Sequence, residues 1–223
     1  MFPPTKANGE CVMFIGYYNL ANFITLFGMS SAVGGIFLAR EGYYKLAIMA
    51  LLLAGLCDMF DGRVARRAKN KDRREKMFGI QIDTVSDMVS FGVTPAVIAY
   101  IYGLNKWYDI VILVFYACCG AIRLAYFNTQ AITETTDLNL KQFTGVPIPT
   151  VCFVLAPLTF FMTFIDPAIM AAVTRISFAV LGGAFIVNVK IKKVGFLVSV
   201  IIIILMAAVV AGILFSGQVK TFK

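Results

Sequence analysis

The chain has 223 residues, 60% hydrophobic and only 14% charged, whereas a soluble domain carries about a quarter charged residues; this excludes an ordinary soluble enzyme and points to an integral membrane protein. The net charge of +8 comes from Lys and Arg gathered in a few connections, which reads as attraction to an anionic membrane face and not as nucleic-acid binding. Histidine is absent, so the usual proton shuttle and the commonest metal nitrogen ligand are missing and acid–base chemistry falls to carboxylates.

The N-terminal "MFPPTKANGECV" lacks the basic start, short apolar core and small-residue cleavage site of a signal peptide. Seven apolar spans follow, at about 20–39, 45–67, 78–102, 107–129, 147–165, 169–189 and 195–215, so the expected fold is an all-α, polytopic transmembrane helix bundle read as one domain. In the first span Asn22 and Thr25, three apart, share a face and are placed to bond between helices. The second ends in "DMFDGRVAR", Asp58 to Arg66, and runs into a charged loop, "RAKNKDRREKM" at 67–77. The fourth carries Arg123 near its end, placed either to snorkel to the interface or to hold an anion. A polar loop at 129–146, containing Lys141, ends in "PIP", where Pro147 or Pro149 suits the first turn of the fifth helix. Arg175 interrupts the sixth span. The seventh, "GFLVSVIIIILMAAVVAGILF", holds 21 residues without a charge, enough to cross roughly 30 Å of hydrocarbon. Five scattered cysteines, with no C-x-x-C pair, read as small hydrophobes and not as disulfides or metal ligands.

Two connections set the orientation. Arg63 to Lys76 holds eight Lys/Arg and two acids, and "KIKK" at 190–193 adds three Lys. With seven spans both fall on one side, which the positive-inside rule makes cytoplasmic.

Asp58 and Asp61 lie three apart and share a helical face. On the next span Gly79, Asp83 and Asp87 recur every four residues, with Ser86 and Ser90 beside them. Small residues on both faces allow close approach in lipid, so the two helices can bring four carboxylates into one pocket. Unpaired, these would cost several kcal/mol each. Divalent cations remove that cost, and oxygen ligands without His or Cys favour magnesium, manganese or calcium over zinc. Two metals held by four aspartates suit a reaction at a diphosphate.

The pattern D58-x-x-D61-G62-x-x-A65-R66 followed by G79-x-x-x-D83-x-x-x-D87 resembles the signature of the CDP-alcohol phosphotransferase family. Twelve residues separate Arg66 from Gly79, more than is usual there, and the surplus is charged loop. "DTVSDMVSFGVTPA" (Asp83 to Ala96), "IRLAYFN" (Ile122 to Asn128) and "FTGVPIP" (Phe143 to Pro149) resemble the phosphatidylserine synthases of that family, although Tyr126 stands where members often have a second basic residue. The likeness covers roughly residues 20–193, which would be the catalytic core of six helices; the span at 195–215 would be an extra C-terminal helix.

The resemblance implies transfer of a phosphatidyl group from CDP-diacylglycerol to L-serine, giving phosphatidylserine and CMP, and the basic connections put that active site on the cytoplasmic side. It implies Mg2+ or Mn2+ in a two-metal site on Asp58, Asp61, Asp83 and Asp87, with Asp87 also the catalytic base on the acceptor hydroxyl. Asn22, Thr25, Gly62, Ala65, Arg66 and Arg74 would contact the CDP-lipid, and Arg123 and Lys141 the acceptor or a phosphate. Membrane lipids are expected partners, nucleic acid is not, and the likeness points to a homodimer. Two alternatives stay open: the same chemistry with another acceptor, such as glycerol phosphate or inositol phosphate, and a divalent-cation transporter using the four aspartates. A transporter calls for helix breaks at mid-membrane, whereas Gly and Pro do not split the aspartate helices here.

Overall fold

Asn19 starts the first helix. In the computed structural model, which describes residues 16–67, 72–134, 143–144, 146–187, 190–191 and 212, its side chain accepts a hydrogen bond from the Asn22 backbone N–H at 2.9 Å. That satisfies one of the donors a helix start leaves open. Helix α1 spans Leu20–Arg40. The chain reverses at Gly42, whose φ of 86° favours glycine, and α2 spans Tyr44–Arg67.

Helices α1 and α2 form the most extensive helix pair among the described residues. Their seam is a stripe of small side chains on α1: Ala21, Thr25, Gly28, Ala32, Gly35 and Ala39, all buried and spaced by three or four. A Cβ added at Gly28 would stand 2.8 Å from the Cys57 Cβ, and one at Gly35 would stand 3.0 Å from the Ala47 carbonyl oxygen. Glycine therefore sets how near the backbones come. Gly28→Val should lower thermal stability by about 1–3 kcal/mol through overpacking and reduce activity, because Cys57 precedes Asp58. A thermal melt and a turnover assay check this; unchanged values in both would mean the seam is looser than described.

Helix α3, Arg73–Ile101, begins where the Asp72 side chain accepts from the Arg73 N–H at 2.7 Å. It is α-helical to Asp87, widens to a π-helical turn over Met88–Val93, and returns to α-helix over Thr94–Ile101. Helix α4 is Trp107–Glu134, α5 is Thr150–Phe161 and α6 is Pro167–Ile186. Asp166 caps α6 by accepting from the Ala168 N–H at 2.8 Å, and Pro167 fills the first position, where its missing N–H costs nothing. A two-residue antiparallel pair, β1 (Phe143–Thr144) with β2 (Lys190–Ile191), joins the segments after α4 and α6.

Helices α1, α3, α4 over Trp107–Gln130, and α6 are long and apolar enough to cross a membrane, so the chain is a multi-pass membrane protein whose described residues form an all-α bundle of six helices. Phe23, Phe27 and Phe37 of α1 are 60–64% exposed, which suits lipid contact. Helix α2 has the length, but its end carries Asp58, Asp61, Arg63, Arg66 and Arg67.

Several expected boundaries shift. The charged loop expected at 67–77 is shorter, since α2 keeps Arg67 and the Asp72 cap starts α3 at Arg73. Arg73 and Arg74 thus belong to the first turn of α3. The polar loop expected from 129 starts later, because α4 continues to Glu134. The fifth span, expected at 147–165, is regular helix only over Thr150–Phe161; Pro149 is its cap residue. The span at 195–215 lies outside the described residues except for Gly212.

Arg175 does not interrupt the sixth helix. It forms an ion pair with Asp109 of α4, and its guanidinium stacks 5.0 Å from the centre of the Tyr108 ring. Asp109 is 1% exposed and also accepts from the Lys106 N–H at 3.3 Å. Two charges that are costly apart become one compensated unit between α4 and α6.

Candidate metal centre

Helical spacing puts Asp58 and Asp61 on one face of α2, and Asp83 and Asp87 on one face of α3. The packing of α1 against both helices turns these faces toward each other. Carboxylate oxygens of Asp58, Asp83 and Asp87 lie within 4.8 Å of one another. Oxygens sharing one cation at about 2.0–2.6 Å can be no more than about 5 Å apart, so this spacing fits a divalent ion. An all-oxygen donor set suits a hard cation.

Asp61 stands beside this trio. It is 4% exposed and accepts the Thr25 hydroxyl at 2.6 Å. The same hydroxyl lies 3.0 Å from the Ala21 carbonyl; it has one proton, and the carboxylate is its nearer partner. Ser86 Oγ donates to the Thr25 carbonyl at 3.2 Å, so α3 is tied to α1 at this level. A small cleft opens here, walled by Thr25, Gly28, Asp58, Asp61, Ser86, Asp87, Ser90 and Phe91.

The other candidate residues scatter around this group. Asn22 is buried, and its side-chain amide donates to the Tyr17 carbonyl at 2.7 Å, holding the segment before α1; its Oδ1 faces Gly79, 3.8 Å from where a Cβ would stand. Gly62 is half-buried and Ala65 exposed near the end of α2. Arg66 belongs to the last turn of α2, but its side chain lies outside the described part of the structure, and Lys141 lies outside it altogether. Arg74 is exposed, and no described contact brings it to the aspartates. Arg123 is buried, with its guanidinium 4.4 Å from the centre of the Phe127 ring. Asn128 of α4 donates to Gln81 of α3 at 3.3 Å, and Tyr116 of α4 donates to Phe91 of α3. The two helices therefore run antiparallel, and Arg123 falls between these contacts at the height of Asp83–Asp87.

Gly28 and Phe91 line the cleft but carry no chemical signal in the sequence. Gly28 is marked only by its place on the stripe of Thr25, and Phe91 only as one more apolar residue of its span. Thr25 is a different case: the sequence places it on a bonding face, and the structure supplies the partner, Asp61, 36 residues away.

The family model described as CDP-alcohol phosphatidyltransferase matches residues 18–181. The CDP-diacylglycerol–serine O-phosphatidyltransferase of Saccharomyces cerevisiae is 35% identical over 142 residues, 59% of this chain and 50% of that protein. The archaetidylserine synthase of Methanothermobacter thermautotrophicus is 31% identical over 163 residues, 73% of this chain and 66% of that one. The CDP-diacylglycerol–serine O-phosphatidyltransferase of Helicobacter pylori is 34% identical over 134 residues, 59% and 53% respectively. The chain spans about half to two thirds of the length of these relatives.

Proposed function

The chain belongs to the CDP-alcohol phosphatidyltransferase family, and we propose that it transfers a phosphatidyl group from CDP-diacylglycerol to L-serine, releasing CMP. The observation that carries this reading is the carboxylate trio of Asp58, Asp83 and Asp87 inside the family-matched segment. Serine as acceptor is favoured by the relatives' names, which differ in the lipid and agree on serine.

In the proposed reaction the serine hydroxyl oxygen bonds to the phosphorus that bears the diacylglycerol, and the bond from that phosphorus to the CMP oxygen breaks. Asp87 accepts the hydroxyl proton. Asp58, Asp61 and Asp83 would hold one divalent ion, and Asp87 would complete the site of a second. Bound Mg2+ or Mn2+ would offset the diphosphate charge and ease ionisation of the hydroxyl. Thr25 fixes Asp61 so that the carboxylate keeps one orientation. Gly62 and Ala65 leave the α2 backbone open to a nucleotide, and the family resemblance would give Arg66 a phosphate to bind. Arg123, at the height of Asp83–Asp87, supplies positive charge for the serine carboxylate or a phosphate. The basic run Arg63 to Lys76 follows the aspartate end of α2 and leads into α3, which supports a centre reached from the cytoplasmic side.

The test is the purified chain in nanodiscs with CDP-diacylglycerol, Mn2+ or Mg2+, and labelled serine. Serine-dependent CMP release is expected, abolished by a chelator and restored by either ion. Release with glycerol phosphate and not serine would change the acceptor; no release with any alcohol would end the transferase reading.

A further inference from the structure

The π turn of α3 begins one residue after Asp87. Its effect shows in which residues face outward. Val85 and Val93 are both exposed, eight residues apart, while Phe91 and Gly92 between them are buried. Two α-turns take about 7.2 residues, so an unbroken α-helix would put Gly92 under Val85. The wider turn absorbs the extra residue and draws Phe91 into the cleft that Asp87 also lines. Such turns are uncommon because they are less stable than α-helix, and something has to hold this one.

Pro95 has no N–H, so it leaves the Phe91 carbonyl without the donor an α-helix would give it. The Tyr116 hydroxyl of α4 donates to that carbonyl at 2.5 Å. Tyr116 is fully buried, and its ring meets Phe178 edge-on at 4.9 Å and Phe185 at 5.5 Å. Gly182 lets α6 come close enough to fix it: a Cβ there would stand 3.2 Å from the Tyr116 Cα.

We infer that Tyr116 is a positioning residue: its hydroxyl, held between α4 and α6, fixes the Phe91 carbonyl and with it the turn that aims Asp87 at Asp58 and Asp83. The inference rests on the reading of the aspartates as a metal centre. Tyr116→Phe removes the hydroxyl and keeps the ring. In nanodiscs it should weaken Mn2+ binding, followed by the paramagnetic signal of the ion, and lower kcat by roughly ten- to a hundredfold, with KM for CDP-diacylglycerol within about twofold of the parent. Adding Pro95→Ala returns an N–H that can reach the Phe91 carbonyl, and the double variant should recover most of both losses. Unchanged Mn2+ binding and kcat in Tyr116→Phe would overturn the inference, as would a loss, including failure to fold, that Pro95→Ala does not repair. If the parent chain transfers nothing from a CDP-lipid, the proposed function fails while the Mn2+ comparison still decides the role of Tyr116.

Discussion

Asp87→Asn is expected to cut CMP release by roughly 10²- to 10⁴-fold, the usual contribution of a positioned general base, while the chain stays folded and still binds CDP-lipid. The substitution keeps the shape of the side chain and removes its charge and its capacity to take a proton. It also takes one of three converging carboxylates from the centre, so the Mn2+ requirement for any residual turnover should rise. Turnover at a saturating metal concentration separates the two losses: if the base matters, excess Mn2+ does not restore the rate. Undiminished release would remove Asp87 from its role as base and leave it as a metal ligand or less.

The largest effect on stability should come from the other end of the bundle. Arg175→Met leaves Asp109, which is 1% exposed, without its counter-charge. Stranding the buried carboxylate of this part-buried pair costs at most about 3–5 kcal/mol, a fall in melting temperature of up to about 10 °C for a chain of this size. Asp109→Asn together with Arg175→Met should recover much of that loss, since no charge is then stranded. Asp109 lies 14 residues before Arg123 on α4, about 21 Å at 1.5 Å per residue, so turnover below the melting range should change little. A melt that does not move in the single variant would show that the pair contributes nothing net. A large fall in turnover at low temperature would show that the register of α4 and α6 reaches the aspartates.

These two expectations differ in how far the sequence alone leads to them. Asp58, Asp61, Asp83 and Asp87 announce themselves, because helical spacing puts each pair on one face and no apolar span tolerates four acids without a reason. The Asp109–Arg175 pair is invisible by the same logic. Each residue alone looks like a blemish in a span, and 66 positions separate them. The seam of Gly28 and Gly35 lies between: the stripe of small residues is there to be read, but its partner and its spacing are not. The start of α3 moved, from the expected 78 to Arg73, because the Asp72 cap lies inside what looks like an unbroken run of charge.

The sequence by itself determined that the chain is a bundle of apolar helices and which helical faces carry acid. Those properties follow from composition and from 3.6 residues per turn, which are local. Tertiary structure alone decided that Asp58, Asp83 and Asp87 converge while Asp61 turns to Thr25, that α3 widens after Asp87, and that Tyr116 and Asp109 find their partners. These depend on how each helix is rotated and shifted against its neighbours. Close packing of small residues fixes that rotation, and no periodicity along a single helix encodes it.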